Sequence, residues 1–85
     1  MSLEAIRNAV AMTAHPKLSE LLSLLIGHGG LPVSTAAPLL DLPPFMVRRF
    51  ANRLVHLGYA TYAEGRYFPT ISGRGIDAVM HPGRL

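Results

Sequence analysis

The chain contains no cysteine. That removes disulfide frameworks and thiolate metal sites, and it favours neither redox compartment. Long apolar runs are missing too: Leu21 to Ile26, broken by Ser23, falls far short of a bilayer span, so no membrane association is expected. The first residues lack the basic region and apolar core of a signal peptide, and the expectation is a cytoplasmic protein. Acids are scarce, five in all, and so dispersed that neither paired carboxylates nor a nucleophile–base arrangement is legible; an enzyme is not expected. His15, His28, His56 and His81 show no metal-ligand spacing and are read as unpaired with any acid at helical steps; neither metal nor cofactor is expected. Gly27-His28-Gly29-Gly30 lacks the Lys-Ser/Thr of a phosphate loop and reads as a helix end.

What remains is a small basic chain. Its 85 residues allow one domain, 1–85, with no room for a separate effector domain. A net charge of +3 and a pI near 10 suit an anionic partner. Apolar residues make up 49% of the chain, much for so small a domain, and a dimer interface would hide the excess more easily than one core.

In order, Ser2 to Thr13 reads as a helix with a narrow stripe, Leu3, Ile6 and Val10, of the kind that packs as an arm on something else. A second helix opens at Pro16, a favoured first position, and runs to about Ile26. Leu18, Leu21, Leu22, Leu25 and Ile26 form its core face; Leu24 lies off that face and is assigned to partner contact. Leu31-Pro32 then leads extended into the next stretch.

The stretch from Val33 to Gly58 carries the most information. A short helix opens at Ser34 or Thr35, either of which suits the N-cap, with Pro38 tolerated in the first turn. Asp41-Leu42-Pro43-Pro44 breaks it. A longer helix follows from about Pro44 to Leu57, ended by Gly58. Val47, Phe50, Leu54 and Leu57 share one face; Arg48, Arg49, Asn52 and His56 share the other, with Arg53 at its margin. No acid stands between Leu42 and Ala63. Two short helices across a tight break, the second with an uncompensated basic face, are the pattern of a helix-turn-helix. Beyond it, Tyr59 to Ala63 and Arg66 to Thr70 flank Glu64-Gly65 as a hairpin, and Pro69 confines the second strand to an edge. Ser72 suits the cap of a last helix on which Ile76, Val79 and Met80 face one way; the glycines at 73 and 75 weaken its first turn, and the residues from His81 to Leu85 read as a loose tail.

Ala37, Leu40, Leu42, Val47, Arg49, Leu54 and Gly58-Tyr59, followed by the hairpin and by Ile71-Ser72-Gly73-Arg74-Gly75, resemble the winged helix-turn-helix regulators, the MarR-like group among them, over roughly 18–80. The resemblance implies a mainly α fold with a small β-hairpin wing and a short strand over Leu31 to Val33. It implies sequence-specific binding of double-stranded DNA as a homodimeric transcriptional regulator.

On that reading Arg48 or Arg49 offers the bidentate donors that match guanine or clamp phosphate, and Asn52 reads adenine or holds a phosphate. Arg53 and His56 lie nearer the backbone. Ser34, Thr35, Pro44, Phe45 and Arg66 complete the expected DNA surface, with Lys17 and Arg74 as further phosphate contacts. Leu3, Ile6, Val10, Leu24, Val79 and Met80 are expected at the dimer interface, residues 1–14 forming the dimerisation helix. One departure from the family favours an alternative. Pro43-Pro44-Phe45-Met46 stands where small hydroxyl residues are usual, and an apolar patch around Phe45 and Met46 would suit a protein partner.

Overall fold

The structure, a computed structural model, describes residues 3–83, with the side chains of residues 5 and 9 outside the description. Ser2, Arg84 and Leu85, which the sequence assigns to the first helix and the tail, lie outside the described residues. The order is α1 (Leu3–Ala14), α2 (Pro16–His28), α3 (Val33–Leu40), α4 (Pro44–His56), β1 (Ala60–Ala63), β2 (Arg66–Pro69) and α5 (Ile71–Met80). The fold is mainly α with one antiparallel hairpin, a winged helix-turn-helix arrangement. No described helix is long and apolar enough to cross a membrane.

The core is a leucine layer. Leu18, Leu21, Leu22 and Leu25 of α2 are buried against Leu40 of α3 and Val47, Ala51 and Leu54 of α4. The three- and four-residue spacing puts each set on one helix face, and each fully buried leucine contributes on the order of 1.5–3 kcal/mol. Phe50 and Leu57 pack at the edge of this layer, as do Leu24 and Met80. The last two are therefore partly committed to the core, and the dimer role expected of them is reduced to their exposed remainders.

Helix ends set the angles between elements. α2, α3 and α4 all close by the same device, a left-handed residue whose N–H and next neighbour's N–H return to the last turn. At α2, Gly29 and Gly30 donate to Ile26 and Leu25; at α3, Asp41 and Leu42 donate to Pro38 and Ala37; at α4, Gly58 and Tyr59 donate to Val55 and Leu54. The middle case is the turn of the helix-turn-helix. There Asp41 takes φ 56° without being glycine, and the Lys17 ammonium donates to the Leu40 carbonyl at 3.0 Å. Lys17, which also pairs with Glu20 at 3.4 Å, is thus a fastener for the end of α3.

Several boundaries differ from the sequence expectation. α3 begins at Val33 with Pro32 at its N-cap, so neither Ser34 nor Thr35 caps it, and Pro38 sits inside the helix, where its missing N–H leaves an exposed turn to solvent. A strand over Leu31 to Val33 does not form; Leu31 alone exchanges both backbone hydrogen bonds with Tyr67, at 2.9 Å each, because Pro32 has no N–H to extend the ladder. Thr70, not Ser72, caps α5: its hydroxyl oxygen accepts from the Gly73 N–H at 2.9 Å and its proton goes to the Gly58 carbonyl at 2.7 Å. The hairpin turns through Glu64 and Gly65, both with positive φ, as the twist of two short strands requires. His81 does not belong to a loose tail. It ends α5 half-buried, its Nε2 lies 3.9 Å from Asp77 Oδ1, and Ser23 donates to the same oxygen at 2.7 Å; Asp77 and His81 are an acid and a histidine one helical turn apart.

Among the described side chains of α1, Met12 is the one buried in the core, while Leu3, Ile6 and Val10 are 66, 48 and 64% exposed.

Gly73 is where the last helix meets the body. A Cβ there would overlap the Tyr59 carbonyl oxygen, which also accepts the Thr70 N–H; at Gly75 a Cβ meets nothing. Gly73→Ala is expected to destabilise the fold by about 1–3 kcal/mol or more through overpacking against backbone. Gly75→Ala should stabilise it by up to about 1 kcal/mol. Urea denaturation of the two variants beside the parent measures both.

Candidate nucleic-acid interface

α4 needs no side-chain cap: Pro43 precedes it and Pro44 fills its first position, where a missing N–H costs nothing. Pro44 and Phe45 are both exposed at this end, Phe45 by 63%. Met46 is not. It is half-buried and lines a cleft with His15, Leu18, Arg49, Phe50 and Arg53, so the apolar patch expected around Phe45 and Met46 reduces to Phe45.

The polar face of α4 divides into two shoulders, because residues four apart align while adjacent ones diverge. Arg48 and Asn52 look into a groove between α4 and the hairpin, bordered by Ser34, Pro44, Tyr62 and Tyr67. Arg49 and Arg53 look the other way, over the start of α2. All three arginines are exposed, and none takes part in an ion pair among the described residues. Neither cleft has an acid in its lining.

Arg66 is exposed at the start of β2, paired in register with Ala63 and one residue beyond the Glu64-Gly65 turn. Ser34 borders the groove with its hydroxyl unused as a cap; Thr35 is exposed on α3. Arg74 and His56 are exposed as well. Arg48, Asn52, Ser34 and Pro44 thus share one groove, whereas Arg49 and Arg53 stand outside it. No group of three or more His, Asp or Glu side chains among the described residues could hold a metal ion.

Asn52 is held by the fold. The Tyr67 hydroxyl donates to its Oδ1 at 2.6 Å. Tyr67 itself is 5% exposed, paired through its backbone to Leu31 and Tyr62, and in ring contact with Tyr62 at 4.9 Å. Sequence reasoning did not single out Tyr67. The signal was present in the alternation Arg66 out, Tyr67 in, which aims the second strand's tyrosine at the helix.

Family models, curated proteins and solved structures yielded no match to this chain.

Burial pushes the Tyr67 phenol above its ordinary value of 10.0; the Arg48 charge pulls it down and Tyr62 pushes it up, both more weakly. The folded chain therefore keeps this proton to higher pH than the unfolded chain does. Stability from this group is complete below pH 10.0 and falls as pH rises from there through the folded value. Alkaline denaturation followed by circular dichroism should show a shallower decline for Tyr67→Phe than for the parent.

Proposed function

We propose that the chain binds double-stranded DNA through α4 and the hairpin, in the manner of a MarR-like winged helix-turn-helix, and acts as a small homodimeric transcriptional regulator in the cytoplasm. The observation that carries this reading is the acid-free arginine face of α4, with Arg48, Arg49 and Arg53 exposed and without ion-pair partners among the described residues. A cationic face left uncompensated suits a polyanion, and Arg66 on the hairpin adds a cation for the flanking backbone.

The dimer would form through α1. Leu3, Ile6 and Val10 recur at three- and four-residue steps and are turned to solvent, with Val79 of α5 57% exposed. A second copy of the same stripe is self-complementary under two-fold symmetry. Two α4 helices would then meet half-sites about 34 Å apart, one turn of DNA.

A second reading, a protein-interaction module, is favoured by the exposure of Phe45 at the head of α4. The two separate cleanly in the affinity of variants for duplex DNA. Arg48→Ala should cost about 1–3 kcal/mol and relax base preference at one position, while Arg66→Ala should weaken all sequences alike and flatten the salt slope by about one unit. Equal affinity of both variants and the parent would remove these residues from the interface, and loss of a protein partner on Phe45→Ala would then favour the second reading. Ile6→Asp should convert a dimer to monomer in sedimentation equilibrium; an unchanged mass would take α1 out of the interface.

A further inference from the structure

We infer that Tyr67 is a positioning residue that fixes the amide of Asn52 as a hydrogen-bond donor toward the groove, so that residue 52 selects guanine over adenine. The inference rests on the DNA-binding reading and specifies its chemistry at one position.

An asparagine that reads adenine needs both ends of its amide at once: Oδ1 accepts from the adenine N6 amino group while Nδ2 donates to N7. Here Oδ1 is already engaged by the Tyr67 hydroxyl at 2.6 Å. Oxygen and nitrogen lie on opposite sides of the amide, so an oxygen turned to the hairpin leaves the NH₂ group for the groove. A guanine presents N7 and O6, two acceptors side by side, to such a donor. Adenine presents N7 next to an amino group, which needs the amide oxygen that is turned to Tyr67, and cytosine presents an amino donor alone.

Two features make this orientation a property of the fold. Tyr67 cannot swing away, because its ring is buried, its backbone N–H and C=O are both bonded to Leu31, and Tyr62 faces it in register across the hairpin. Flipping the amide would also remove the acceptor from the phenol proton, which carries a cost of its own. Arg48, one turn before Asn52 and lining the same groove, brings a second set of donors and no acceptor. The groove side of α4 is thus built of donors.

The test is selection from a randomised 20-base-pair duplex library with the parent, Asn52→Ala and Tyr67→Phe, each first checked for folding by circular dichroism. The position read by residue 52 is the one whose preference disappears in Asn52→Ala. In the parent that position should favour guanine over adenine by about fivefold or more. In Tyr67→Phe, where the ring stays and the hydroxyl goes, adenine should rise to rank with guanine at that position alone.

A parent that favours adenine there overturns the inference, as does a Tyr67→Phe ranking identical to the parent's or an Asn52→Ala variant that alters no position. Should Tyr67→Phe fail to fold, the parent's own ranking of guanine against adenine decides. A parent that retains no duplex at low salt defeats the DNA-binding reading, and this inference with it; duplex retention with the wrong base defeats the inference alone.

Discussion

Tyr67 ties the second strand of the hairpin to the body of the fold. Its backbone exchanges two hydrogen bonds with Leu31, its ring is buried, and its hydroxyl reaches Asn52. One residue therefore joins the exit from α2, the hairpin and the second helix of the helix-turn-helix. A two-stranded hairpin is marginal by itself in water, and this one borrows its stability from that attachment. The groove between hairpin and helix, with Arg48 on its wall, exists because the attachment holds.

The opposite end of the hairpin is secured by Thr70 and Gly73. Thr70 spans from the end of α4 to the start of α5, donating to Gly58 and accepting from Gly73. The missing side chain at Gly73 lets the helix approach the Tyr59 carbonyl. These contacts fix α5 against the body and leave Val79 pointing outward, on the helix that packs against α1. The groove lined by Arg48 and the exposed aliphatic stripe on α1 thus belong to one packed frame. On the DNA-binding proposal, the spacing of the two half-sites would depend on this frame between groove and interface.

Much of this frame was legible in the sequence. The leucine spacing of α2, the apolar face of α4 and the Glu64-Gly65 turn follow from periodicity and backbone preference, and the arginine face follows from the gap in acids between Leu42 and Ala63. What escaped depends on contacts between distant residues. Nothing local tells that Lys17 will close α3 or that Asn52 will be claimed by a tyrosine fifteen residues on. Ser34 and Thr35 have the chemistry of a cap, but Pro32 starts the helix earlier and leaves both inside it. Thr70 displaces Ser72 for a similar reason: the Gly58 carbonyl gives its hydroxyl proton a partner across the fold. The stripe on α1 was read correctly as a row of apolar residues, yet the core took Met12 from the other side. Met46 likewise turned from the expected surface patch into the cleft beside Arg49 and Arg53.

The proposed binding requires the arginine face to meet a polyanion, and the most direct measurement is fluorescence anisotropy of labelled random duplex DNA titrated with the protein across a range of salt. With Arg49, Arg53 and Arg66 near phosphates, the logarithm of the binding constant should fall with the logarithm of salt at a slope of about −3 or steeper. No binding at low salt, or binding that ignores salt, would contradict it.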